Sequence, residues 1–156
     1  MDVLIVDNDR GIAELVAWFL EQRGHSARSV QSFVEARHEL RRRPPDLMLS
    51  DIEMGVESGR EELPRLAAEG LLPPTLVVSG FLDAELRGEL EALPAIVGVL
   101  AKPFDLADLE ARVDTLARGP RRARPLPRAA PAPEPDGDGW IEVLPLDRAP
   151  GDEEGR

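Results

Sequence analysis

Four short segments of this chain carry residues that could do chemistry together: Asp7-Asn8-Asp9, Asp51, Ser79 and Lys102. Each ends or follows an apolar run, where a strand would give way to a loop. If those strands lie side by side, three carboxylates, a hydroxyl and an ammonium converge at one edge. Carboxylates that close raise one another's pKa unless a cation sits among them. Hard oxygen donors with few neighbours suit Mg2+, which keeps several waters and completes its shell with phosphate oxygens. The remaining parts suit phosphoryl transfer: a carboxylate nucleophile, a lysine on developing charge and a hydroxyl donor. Lys102 is also the only lysine among nineteen basic residues. An ammonium is a compact point charge on a flexible stem, whereas guanidinium is a rigid fork suited to bidentate partners.

The elements that must position these groups are legible in the apolar pattern. Strands are expected at Val3–Val6, Ser26–Ser29, Leu47–Ser50, Thr75–Ser79 and Ile96–Ala101. Four of the five are continuously apolar, as strands covered on both faces are. Helices fall between them. The first has Asp9 as N-cap, sets Ile12, Leu15, Val16, Phe19 and Leu20 on one face, and ends at Gly24. The last starts at Asp105, turns Leu106, Leu109, Val113 and Leu116 inward, and stops at Gly119-Pro120. Helices two to four are expected at about 34–42, 58–69 and 84–92. Pro64 fits the third only if that helix begins late, with proline in its first turn. Five strand–helix repeats give an α/β fold: a doubly wound, five-stranded parallel sheet with helices on both faces. In such a sheet a ligand sits beyond the carboxyl ends of the strands, where the four segments lie.

Composition narrows the function. The chain has 156 residues, a net charge of −11 and no cysteine. It therefore has no disulfide framework and no thiolate metal site. The charge argues against nucleic-acid binding by the globular part. No basic leader with a cleavage site follows Met1, and no apolar run reaches the ~20 residues a bilayer requires. A cytoplasmic protein without membrane insertion is the expectation. His25 and His38 are expected at the surface.

The motifs VLIVDND, PDLMLSDIEM, LVVSG and VLAKPF stand in order along residues 1–118. Together they resemble the receiver domain of bacterial two-component response regulators. The resemblance implies a (βα)5 fold with the flavodoxin-like strand order 2-1-3-4-5. It also implies that Asp51 is the phospho-acceptor. Asp7, Asn8, Asp51 and the main-chain carbonyl of Glu53 would hold Mg2+, and Ser79 and Lys102 would bind phosphoryl oxygens. The Lys102–Pro103 bond would be cis. A sensor histidine kinase or phosphotransfer protein would be the phosphoryl donor. With no output domain in view, the chain would be a stand-alone regulator, not an enzyme, acting on an unknown downstream protein by contact.

Several positions depart from the family pattern. Asn8 replaces the second acid of the metal pair, so Mg2+ binding is expected to be weaker than usual, unless a loop shift lets Asp9 compensate. Val99 occupies the strand-five position where receivers commonly carry a switch aromatic, and the chain has no tyrosine. Gly55 replaces a proline and would leave its loop freer. Phe81, two residues after Ser79, could shield Asp51 from water. Two rivals follow from these residues: a degenerate, phosphorylation-independent receiver scaffold, and a small haloacid-dehalogenase-like phosphatase using Asp7. Residues 119–156 are rich in proline and arginine, then acidic, and are expected to be disordered. Trp140, Ile141, Val143 and Leu144 could form a short docking motif there.

Overall fold

The structure, a computed structural model, describes residues 1–119; the expected disordered tail and its Trp140 motif lie outside the described residues. Seven strands and five helices follow one another as β1 (Asp2–Val6), α1 (Arg10–Glu21), β2 (Ser26–Val30), α2 (Phe33–Arg42), β3 (Leu47–Asp51), β4 (Glu53–Met54), β5 (Glu57–Ser58), α3 (Gly59–Ala68), β6 (Thr75–Ser79), α4 (Ala84–Glu91), β7 (Ile96–Ala101) and α5 (Leu106–Arg118). Five strands form one parallel sheet in the order β2-β1-β3-β6-β7. Counting only those sheet strands, this is the expected order 2-1-3-4-5. The two-residue strands β4 and β5 form a separate antiparallel hairpin, Glu53 opposite Ser58 and Met54 opposite Glu57.

Strand alternation divides the core in two. Val3 and Ile5 of β1, Leu47 and Leu49 of β3, and Leu76 and Val78 of β6 pack with α1 and α5 on one side. Their neighbours Leu4, Val6, Met48 and Val77 pack with α2, α3 and α4 on the other. Successive strand side chains point to opposite faces, so a strand covered on both sides must be apolar throughout. The central strands β3 and β6 are buried at every position. The fifth sheet strand does not follow that expectation: only Leu100 of β7 is fully buried, because β7 lies at the sheet edge.

Two helix expectations and one histidine expectation need correction. On α1 the core takes Ala13, Val16, Phe19 and Leu20, while Ile12 and Leu15 stand 41% and 50% exposed. The apolar stripe of this helix is wider than the face the sheet can cover. Pro64 is the sixth residue of α3, past the first turn. It cannot donate to the carbonyl of Arg60. Leu63 and Leu66 are completely buried on either side of it, and such tertiary packing supplies most of a helix's stability. His25 is not a surface residue. Its side chain is 10% exposed, with Nε2 3.6 Å from Asp114 Oδ1 of α5 and Nδ1 buried without a partner. His38 is exposed, as expected.

The arginines behave as forks. Arg28 Nη1 reaches both oxygens of Asp2, at 2.7 and 2.8 Å. Arg60 of α3 grips both oxygens of Glu89 on α4, at 2.6 and 2.7 Å. Among the described residues no helix is long and apolar enough to cross a membrane.

Candidate functional site

Parallel pairing brings the chemical residues together at the tips of four adjacent strands. Asp7 directly follows β1, Asp51 ends β3, Ser79 ends β6 and Lys102 directly follows β7. The ladder places Asp51 opposite Val78 and Ser79 opposite Ala101. At the far end, the amide of Lys102 donates to the carbonyl of Ser79 at 2.8 Å, fastening the two strand tips together. The Lys102–Pro103 bond is cis.

Asp51 is the centre of this edge, 4% exposed. Its Oδ2 accepts from Lys102 Nζ at 2.6 Å, and its Oδ1 accepts from the Glu53 amide at 3.1 Å. Burial raises the pKa of Asp51; the bond from Lys102 pulls it back only in part, and the net direction is up. Lys102 shows the opposite balance. Burial lowers its pKa, but the Asp51 bond and the charges of Asp51, Asp7 and Glu53 outweigh that, so the ammonium is held. The lone lysine thus places one point charge on one buried oxygen, a task for which a fork is poorly shaped.

Asp7 is also buried, and its Oδ1 accepts from the amide of Asp9 at 2.8 Å. Asn8 and Asp9 are exposed. Asp9 Oδ1 accepts from the Ile12 amide at 3.1 Å, so this carboxylate caps α1. Asn8 lies against the β4–β5 hairpin, where a Cβ added at Gly55 would meet its Nδ2 at 3.4 Å. Gly55 has φ +71°, the positive value that a tight two-residue hairpin turn demands. The loop in which Gly55 stands forms the turn of this hairpin.

Hard oxygen donors of the kind a divalent ion takes are present at this edge. Asp7 and Asp51 supply two buried carboxylates, with the Asn8 amide and the Glu53 carbonyl close in sequence. Among the described residues no three His, Cys, Asp or Glu side chains group as a metal cluster. An ion here would have few charged protein ligands and would lean on water and phosphate, as Mg2+ does.

One contact at this edge escaped the sequence. The side chain of Glu53, named only for its carbonyl, reaches across to the tip of β6. Its Oε1 accepts from the Ser79 hydroxyl at 2.8 Å, and its Oε2 from the Gly80 amide at 3.4 Å. Burial alone would raise the pKa of Glu53, but hydrogen bonds led by that from the Ser79 hydroxyl, with the Gly80 amide beside it, hold it low. The signal available was an acid two residues beyond Asp51, opposite a strand-end hydroxyl. Phe81 also differs from expectation. Its ring is 70% exposed, and it meets Ser79 through its main chain: the carbonyl accepts from Oγ at 2.7 Å and the amide donates to it at 3.2 Å. The aromatic lining the small crevice beside Asp51 is Phe104, together with Asp7, Ile12 and Val78. Val99 is half-buried on β7, opposite Val77, and packs with the α2–α4 side of the core.

Comparison with known proteins agrees with this arrangement. The family model described as "Response regulator receiver domain" matches residues 3–114. The transcriptional regulatory protein CreB of Escherichia coli (strain K12) is 31% identical over 119 residues, covering 74% of this chain and 50% of that protein. The alkaline phosphatase synthesis transcriptional regulatory protein PhoP of Bacillus subtilis (strain 168) is 26% identical, covering 79% and 51%. The chain thus spans about half the length of these relatives. Among solved structures, the chemotaxis protein CheY4 of Vibrio cholerae superposes with a TM-score of 0.67 at 25% identity, over 74% of this chain and 97% of that one. The receiver domain of the Francisella response regulator 1452 gives 0.66 at 24% identity, over 74% and 94%. Motifs, strand order and comparisons lead to one family: the chain belongs to the response regulator receiver domains of two-component systems.

Proposed function

We propose that Asp51 accepts a phosphoryl group from a phosphohistidine on a sensor histidine kinase or phosphotransfer protein, and that the receiver then signals by protein–protein contact. Receiver domains are signalling modules and generally not enzymes, and they generally bind Mg2+ at the phosphorylation site. The observation that carries the reading is the 2.6 Å contact between Lys102 Nζ and the buried Asp51 Oδ2. In the transfer an Asp51 carboxylate oxygen attacks phosphorus, the bond from phosphorus to imidazole nitrogen breaks, and an acyl phosphate forms. The leaving imidazole keeps the electron pair and takes a proton. Lys102 and Ser79 stabilise charge on the phosphoryl oxygens. Asp7, Asn8, Asp51 and the Glu53 carbonyl would hold Mg2+, which supplies charge neutralisation at the same oxygens. Asn8 gives this set one charge fewer than an acid would.

The phosphatase reading is weaker. Lys102 bonds Asp51 and not Asp7, whereas a nucleophilic Asp7 would leave Asp51 without a task. The scaffold reading draws on Asn8 and Val99 alone. Incubation with acetyl phosphate and Mg2+, followed by intact mass measurement, separates these readings. One added phosphoryl group, lost in Asp51→Asn, supports the switch; an unmodified protein favours the scaffold.

A further inference from the structure

The Ser79 hydroxyl, one of the two side-chain donors that would receive a phosphoryl oxygen, is already engaged by a carboxylate of this chain, and so is the neighbouring Gly80 amide. Glu53 Oε1 takes the Ser79 hydroxyl at 2.8 Å and Oε2 faces the Gly80 amide at 3.4 Å. The same residue's amide holds Asp51 Oδ1 at 3.1 Å, so Glu53 spans the gap between the nucleophile and the β6 tip. The hairpin anchors it there. Glu53 is paired with Ser58, the next side chain, Met54, is buried in the core, and Gly55 turns the chain back. A planar carboxylate with two acceptor oxygens presents to those donors what a phosphoryl group would present.

We infer that the Glu53 carboxylate is a built-in occupant of the phosphoryl seat, which an incoming phosphoryl group must displace from Ser79 and Gly80. The inference rests on Asp51 being the phosphoryl acceptor and adds a regulator to that site. Two features make the occupant removable. Glu53 is exposed on its other side. The Ser79 hydroxyl has one proton and a second acceptor, the Phe81 carbonyl at 2.7 Å, so losing the carboxylate leaves no buried donor orphaned. Glu53 also sets a negative charge where an anion must arrive. It therefore opposes entry twice, by holding the donors and by repulsion.

The test is binding of beryllofluoride, a phosphoryl analogue, to wild type, Glu53→Gln and Glu53→Ala at saturating Mg2+. Gly80 and Phe81 amide shifts are followed by NMR. Replacing a charged hydrogen-bond acceptor by nothing should tighten binding about tenfold in Glu53→Ala. Glu53→Gln, which loses charge but keeps an acceptor, should fall between. The Gly80 amide should also move in both unliganded variants. Binding by wild type that is equal or weaker in Glu53→Ala overturns the occupant and leaves the Asp51 reading standing. Binding by Glu53→Ala alone supports the occupant most strongly. No binding by any of the three overturns both.

Discussion

Two glycines in helices should respond to alanine in opposite directions. Gly59, the first residue of α3, sits under the end of β3: an added Cβ would lie 2.9 Å from Ile52 Cα, 3.0 Å from the Asp51 carbonyl oxygen and 3.1 Å from Ile52 Cδ1. Two of those neighbours are backbone and cannot rotate away. Overpacking of this kind costs about 1–3 kcal/mol, and fixed backbone puts Gly59→Ala near the top of that range. The better helix propensity of alanine returns about 1 kcal/mol, leaving a net loss of about 2 kcal/mol. At roughly 4 °C per kcal/mol for a domain of this size, Tm should fall by about 8 °C. Gly88, inside α4, has nothing within 4 Å of its added Cβ. Gly88→Ala should keep the propensity gain and raise Tm by about 4 °C. Thermal unfolding followed by circular dichroism reads both. Because the clash falls on Asp51 and Ile52, the Glu53 amide resonance should also shift in Gly59→Ala and stay fixed in Gly88→Ala. A Gly59→Ala protein as stable as wild type, or Tm changes of the same sign, would refute the packing argument.

Other expectations are as direct. Asn8→Asp adds a charge beside Asp7 and should raise Mg2+ affinity by roughly tenfold or more; calorimetry showing no change would remove Asn8 from the ion's surroundings. Phe81→Ala should leave the acyl-phosphate half-life within about twofold, as its exposed ring does not cover Asp51; a sharply shorter half-life would restore a shielding role. The hydrogen bond from Arg42, against an opposing burial effect, leads the causes that hold Glu39 below the ordinary glutamate value, with Arg28 contributing. A depressed folded pKa gives stability that is present above the ordinary value, about 4.3, and lost as pH falls through the folded one. Glu39→Gln should therefore lower Tm at neutral pH and converge with wild type in acid. A constant gap between the two across that range would show that charge is not what Glu39 contributes.

Much of the fold was legible because burial on both faces leaves a plain mark. The runs at 47–51 and 75–79 could be little else than central strands, and their ends announced Asp51 and Ser79. Lys102 stood out as the one lysine among the arginines, but its place at the end of the fifth sheet strand, not composition, set it opposite Asp51. What stayed hidden depends on contacts that no local period records. The β4–β5 hairpin has two residues per strand, too few for an alternating pattern to form. Without it nothing directs the Glu53 carboxylate toward Ser79. The buried face of α1 is chosen by how the helix lies on the sheet, so Ile12 and Leu15 look like core in sequence and stand exposed in the fold. His25 meets Asp114 of α5, nearly ninety residues away in sequence.

The acceptor itself can be located chemically. Borohydride reduces an acyl phosphate, converting the modified aspartate to homoserine, which peptide mass mapping assigns to one position. After treatment with acetyl phosphate and Mg2+, homoserine is expected at position 51, and little should form in Lys102→Ala. Homoserine at position 7, or at no position, would contradict phosphoryl transfer to Asp51.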